Sequence, residues 1–235
     1  MRAQLGTKPQ KLDKLNTRFN EYGIQGLRAE LEEDSKGEKV DIHFPRVTTN
    51  GNAYQLDHVL LEFGGRNRGR PTAPHIVRTY LSDVPQISEA LTLPAGTVAA
   101  YDPSYILWEK LTALHQYSTQ ERTPPSFNRL ARHWYDVDCL LRQEVFANNL
   151  EQTQAMKDVV EMKSLRYSEK GVDYTAVTQG KLKLIPDGAR LEAIAEDHKA
   201  AVQGGMFFGK PDTFDNIIER LTASESNINK MLEGN

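Results

Sequence analysis

The chain has 235 residues, 39% of them hydrophobic and 26% charged, which is ample for one large domain or two small ones with a proper core. Its formal net charge of -3 supplies no global field to hold nucleic acid or an anionic membrane, so any anion site must be local. No run approaches the ~18 apolar residues that span a bilayer, the opening MRAQLGTKPQKLDKL lacks the apolar stretch of a secretion signal, and the single cysteine, Cys139, excludes an internal disulfide and fits a reducing cytoplasm.

Residues 9–34 begin with a helical pattern of Leu12, Leu15 and Phe19 and continue into a Gly-interrupted stretch. Two strand-like runs follow, KVDIHFPRV (39–47) and LDHVLLEFGGR (56–66), joined by TTNGNAY, where Asn50-Gly51 signals a hairpin turn. GGRNRGRPTAP reads as a loop carrying Arg66, Arg68 and Arg70, and Val98-Ala99-Ala100 as a short strand. From Asp102 onward the periodicity is helical, at about 103–118, 127–147, 151–166, 188–203 and 213–233. Between them, 168–187 reads as a loop with room for a short hairpin. The expected architecture is α+β: an N-terminal α+β part over 1–101, then a helical region over 102–235.

One residue interrupts the first long helix. Asp102 and Pro103 form an N-cap and first-turn pair. At about 100° per residue, Ile106, Leu107, Leu111, Leu114 and Tyr117 then share an apolar arc. Lys110 falls near the middle of that arc. An ammonium placed there must either snorkel to water or meet an anion, because an unpaired buried charge costs several kcal/mol. The following helix would pack antiparallel and bring Asp136 close. A Lys110–Asp136 pair can be purely structural, or it can be half of a polyphosphate site. Periodicity leaves both open.

The remaining candidates are weaker on spacing alone. Arg132 and Asp136, four apart, can be a solvent-exposed ion pair worth a few tenths of a kcal/mol. Glu62 alternates with Leu61 and Phe63 on a strand, and a lone carboxylate holds Mg²⁺ only with partners. Guanidinium forks on the Gly-rich loop suit phosphate, although such loops are common without a ligand. His115 and His133 lie on predicted helices, and Cys139 reads as a helix-packing residue. No Walker A, G-x-G-x-x-G or G-x-S-x-G motif is present, and no Cys/His spacing suited to zinc stands out.

Taken in order, VLLEFGGRNRGRP, YILWEKLTALH and LARHWYDVDCLL resemble the abortive-infection AbiEii-type nucleotidyltransferase toxin family of type IV toxin–antitoxin systems. The likeness continues through the segment containing Lys163, the GKLKLIPDG loop and MFFGKPDTFDNIIERLTASESNIN, covering approximately 39–232. The resemblance implies a DNA polymerase β-like nucleotidyltransferase fold, here a partial mixed sheet followed by a helical region. It also implies a bacterial toxin-antitoxin or phage-defence role, dependence on Mg²⁺ and a nucleoside triphosphate, an antitoxin partner, and tRNA as an acceptor. By the same resemblance, Lys110 matches the lysine of the family's E-K-L/A segment and Asp136 the aspartate of its R-H/D-x-Y-D motif, as catalytic residues. Arg132, Arg66 and Lys163 are implied as nucleotide contacts and Glu62 as a metal-binding carboxylate.

One departure stands out. The family's Gly-Gly-Thr or Gly-Ser segment, followed by Asp-x-Asp on a strand, aligns the metals for in-line attack. The only Asp-x-Asp here is Asp136-Val137-Asp138, on a predicted helix. The expectation is a family member lacking its first portion. Such a chain would have impaired transfer, or would be a non-enzymatic nucleotide-, RNA- or antitoxin-binding remnant. Loss of opening strands would also leave an exposed sheet edge, so self-association through the N-terminal sheet is expected.

Overall fold

The computed structural model describes residues 9–33, 35, 37–45, 56–63, 71–124, 127, 129–207 and 209–234. They fall into two units. The first draws on Met1–Arg68, Ser126–Arg132 and Glu192–Phe214, the second on Gly69–Pro125, His133–Leu191 and Asp215–Asn235.

Alternation of side chains sets the sheet of the first unit. Helix α1 (Pro9–Glu21) precedes strands β1 (Arg28–Leu31), β2 (Lys39–His43) and β3 (His58–Glu62), which pair antiparallel in the order β1-β2-β3. Arg28 lies opposite His43 in one pairing, and His43 opposite His58 in the next. The two-residue period therefore puts Arg28, Glu30, Lys39, Asp41, His43, His58 and Glu62 on one face. Ala29, Leu31, Val40, Ile42, Val59 and Leu61 share the other, and Ala29 and Val40 are its buried centre. Asn16 fastens α1 to the edge strand: its amide donates to the Ala29 carbonyl at 2.9 Å and its Oδ1 accepts the Ala29 N–H at 2.7 Å.

β1 lies in the stretch read only as Gly-interrupted, and β2 ends at His43 instead of continuing to residue 47. Pro45, two residues on, has no N–H to give a continuing ladder. The predicted turn at 48–54, with Asn50-Gly51, lies outside the described residues.

The second unit contains a two-stranded ribbon that the sequence largely concealed. β4 (Thr72–Arg78) pairs antiparallel with β5 (Ala95–Tyr101) along its whole length, from Thr72 opposite Tyr101 to Arg78 opposite Ala95. The expected loop through Pro74 is therefore partly strand, and the expected short strand at 98–100 has seven residues. In a two-stranded ribbon both strands are edges, which is where a proline such as Pro74 is tolerated. A short helix, α2 (Pro85–Ser88), lies between them.

The helices follow closely on the predicted segments, with one shortened. α3 (Pro103–Thr119) starts as expected, the Asp102 carboxylate accepting the Ser104 N–H at 2.9 Å. The segment predicted at 127–147 becomes α4 (Arg132–Leu141) and a one-turn α5 (Glu144–Ala147). α6 (Thr153–Arg166), α7 (Gly188–Gln203) and α8 (Phe214–Glu233) complete the set, and 168–187 carries a 3-10 helix at Tyr174–Gln179 in place of the short hairpin. No helix among the described residues is long and apolar enough to cross a membrane.

Fully buried Trp108, Leu111, Trp134 and Leu221 belong to the core of the second unit, each burial contributing roughly 1.5–3 kcal/mol. Threaded past that core, residues 182–184 have no strand partner, and side chains satisfy their backbone instead. Asn229 accepts the Leu182 N–H at 2.8 Å and donates to its carbonyl at 2.9 Å. The Leu184 N–H donates to Glu225, and the Leu184 carbonyl accepts the Trp134 indole N–H at 2.9 Å. His115 Nδ1 accepts the Lys183 N–H at 3.0 Å, so its Nε2–H faces the Asp173 carbonyl at 3.1 Å.

That arrangement needs a neutral imidazole. Burial pushes the His115 pKa down, outweighing the carbonyl contact with Asp173 that raises it. In the unfolded chain His115 takes its proton at its ordinary value of 6.5. Just below that pH the unfolded state binds more protons, so folding stability falls as pH falls. The thermal midpoint of the chain is expected to drop between about pH 7 and pH 5, and by less in His115→Gln. Equal slopes in the two proteins by differential scanning calorimetry would contradict this.

Candidate functional site

α3 and α4 carry the central pair. Lys110 does not sit mid-arc as expected. Trp108, Thr112 and His115 are buried together with Leu107, Leu111 and Leu114. This swings the buried side away from Ile106 and Tyr117 and leaves Lys110 on its margin. The ammonium meets a carboxylate there: Lys110 Nζ donates to Asp136 Oδ2 at 2.8 Å. The two side chains are 35% and 41% exposed, so the pair contributes at most about 1 kcal/mol to stability. Water and ligands reach both groups.

Asp138, two residues on, points elsewhere and is 2% exposed. The Arg220 guanidinium of α8 grips it as a fork, Nε on Oδ1 at 2.7 Å and Nη2 on Oδ2 at 2.9 Å. Arg142 Nε adds a contact to Oδ2 at 3.2 Å. Asp138 is thus an anchor for the helix that presents Asp136. The sequence offered no signal for it beyond an aspartate on a helix.

Glu109 and Lys163 form a second ion pair beside the first. Lys163 Nζ is 3.1 Å from Glu109 Oε2 and 5.1 Å from the Tyr167 ring centroid, and the lysine side chain is nearly buried. Glu109 Oε1 is buried without a hydrogen-bond partner. Lys163 therefore already has an anion and an aromatic face as neighbours. Replacing Lys163 with methionine is expected to destabilise the fold by about 3 kcal/mol, because it strands the Glu109 charge. Glu109→Gln in the same chain is expected to recover part of that loss. Urea unfolding of the two proteins checks this, and equal midpoints would contradict it.

In the first unit, the residues leading into α4 are held by a distant carboxylate. Asp197 Oδ1 accepts the Arg129 N–H at 2.9 Å and Oδ2 accepts the Ala131 N–H at 2.8 Å, serving as a cap supplied from α7. Arg129 has φ 62°, a left-handed conformation that is uncommon outside glycine, and α4 begins at Arg132 instead of the expected 127. Arg132 opens α4, with its Nε buried and lacking a hydrogen-bond partner.

Arg66 lies outside the described residues. Glu62 ends β3, exposed, with Lys39 opposite it. Mg²⁺ demands several oxygen ligands. Among the described residues, one group of three or more His, Cys, Asp or Glu side chains is close enough to share an ion: His43, Asp57 and His58. That set is rich in nitrogen and excludes Glu62, so the described residues do not fit a Mg²⁺ centre. No cysteine or histidine spacing along the chain points to this set, which the strand pairing assembles.

These observations define a mixed α+β protein with paired cationic and anionic side chains on its long helices. A family model described as "Nucleotidyl transferase AbiEii toxin, Type IV TA system" matches residues 4–220. The chain belongs to that family, and its fold is accordingly nucleotidyltransferase-like. Membership makes it a toxin-family nucleotidyltransferase and implies an antitoxin partner; such enzymes generally use a nucleoside triphosphate and Mg²⁺. Neither curated proteins nor solved structures give a match to this chain.

Proposed function

We propose that this chain binds a nucleoside triphosphate through Lys110, with Asp136 orienting the acceptor, as the nucleotide-handling part of an AbiEii-type transferase. The supporting observation is the 2.8 Å contact between Lys110 Nζ and Asp136 Oδ2, at positions whose flanking residues resemble the family's lysine and aspartate motifs. An exposed ammonium already matched to one anion exchanges it for a phosphate oxygen at little cost, since the same charge-assisted bond is re-formed. The carboxylate so released is free to accept a hydrogen bond from the acceptor hydroxyl. By the family resemblance Arg132 and Arg66 remain candidate phosphate contacts of the first unit, and Lys163 acts at one remove by holding Glu109. Glu62 supplies a single carboxylate toward a metal.

The sequence contains no strand-borne Asp-x-Asp, and one carboxylate does not organise two Mg²⁺ ions. The 235-residue chain is therefore expected to bind triphosphate yet transfer it weakly or not at all. A tRNA acceptor, an antitoxin that covers the site, self-association through the first sheet, and a cytoplasmic phage-defence role in bacteria complete the proposal. The test is incubation with Mg²⁺, radiolabelled nucleoside triphosphates and bulk tRNA, beside calorimetric titration with the same nucleotides. Binding without labelling supports the reading. Robust labelling overturns the inactivity, and no binding overturns the site.

A further inference from the structure

The polar face of the three-stranded sheet carries a second, chemically different centre. His43 and His58 are cross-strand partners in the β2–β3 register, so their side chains rise from the same face as near neighbours. Their ring centroids are 5.4 Å apart and tilted at 52°. Asp57, at the bend just before β3, turns its Oδ1 to within 3.1 Å of His58 Nδ1. One donor atom from each of the three residues lies within 4.8 Å of the other two. The imidazoles are about four-fifths buried, at 19% and 20% exposure, while Asp57 is open at 64%.

A second tier of carboxylates surrounds the three. Glu30 Oε2 is 3.3 Å from His43 Nε2, and Asp41 Oδ1 is 3.4 Å from His58 Nε2. Metal-ligating histidines characteristically give their other ring nitrogen to a carboxylate, which fixes the ring and raises its basicity. Here each ring has such a carboxylate on one nitrogen. The register alone brings the two rings together; what it does not account for is Asp57, which converges on His58 although that ring already has the Asp41 carboxylate beside it.

We propose that His43, His58 and Asp57 form a binding site for a divalent transition-metal ion of the zinc type, clipping β2 to β3. Two imidazoles and one carboxylate suit zinc, with three protein ligands leaving a fourth position to water. Metal–ligand bonds of about 2.0–2.2 Å bring tetrahedral donors to roughly 3.4 Å from each other. Rotation of the three side chains closes the remaining gap without moving the strands. The same donors are a poor match for Mg²⁺, which prefers oxygen and near-octahedral geometry. The site stands apart from the triphosphate reading and does not depend on it.

The test is calorimetric titration of the full, tag-free chain with zinc chloride. The visible spectrum of the cobalt(II)-loaded protein provides a second readout. The expected result is one equivalent of zinc per chain, cobalt bands of a four-coordinate nitrogen–oxygen site, and a zinc-dependent rise in thermal midpoint. His43→Gln and His58→Gln are each expected to lower affinity by about 100-fold, and Asp41→Asn by about 10-fold. Should a histidine variant fail to fold, Asp57→Asn at its exposed position takes its place and is expected to abolish the cobalt bands. Absence of zinc binding, or stoichiometric binding that survives His58→Gln and Asp57→Asn unchanged, overturns the proposal.

Discussion

Replacing Lys110 with alanine is expected to weaken triphosphate binding roughly 10- to 100-fold, the equivalent of losing one charge-assisted hydrogen bond. The thermal midpoint should hardly move. Both members of the Lys110–Asp136 pair are more than a third exposed, and an ion pair in that setting contributes little to folding. The combination of a large binding loss and a small stability loss separates a ligand contact from a structural bridge. Asp136→Asn serves as the partner experiment: the phosphates still find the lysine, so affinity stays within a few fold while any residual transfer disappears. Calorimetric titration and denaturant melts of the same two variants read both quantities. If Lys110→Ala binds nucleotide as the parent does, the pair is only a strut.

Replacing Arg220 with methionine is expected to have the opposite profile. Asp138 is 2% exposed and depends on that guanidinium for a contact to each of its oxygens. Removing one partner of a buried pair leaves a charge uncompensated and costs about 3–5 kcal/mol. Arg142, itself about half exposed, retains one contact to the same carboxylate, so the loss belongs at the lower end of that range. The double change Asp138→Asn with Arg220→Met is expected to restore part of the stability, because it removes the stranded charge along with its partner. Urea unfolding of the single and double variants decides this. Equal midpoints for Arg220→Met and the parent would mean that Asp138 is held by something other than the fork.

What the sequence made legible was local. Asp102 and Pro103 marked the start of α3 because a cap and a first-turn proline act within one helical turn. The periodic apolar residues of α7 and α8 fixed their extents to within about a residue. Contacts between residues distant in sequence were hidden. Asp197 caps the approach to α4 from 66 and 68 residues away, so the helix was predicted to begin too early. The opening of β4, Thr72 to Pro74, falls in the expected loop, and the pairing with β5 that makes it a strand is encoded by no local pattern. Lys110 was placed in the sequence arc but not on the correct side of it. Trp108 and His115 were not counted as part of the buried face, and their burial turns the helix. The His43–His58 pair was missed for a similar reason: antiparallel register, not spacing along the chain, brings the two rings together.

The fork on Asp138 also bears on the order in which the protein is made. Asp138 and Arg220 are 82 residues apart in the chain, and at synthesis rates of roughly 5–20 residues per second the arginine is joined about 4–16 s after the aspartate. During that interval the ribosome has delivered Lys110 and Asp136, but the guanidinium that fastens the helix of Asp136 does not yet exist. A nascent chain halted short of residue 220 therefore holds every side chain of the proposed nucleotide contact without that anchor.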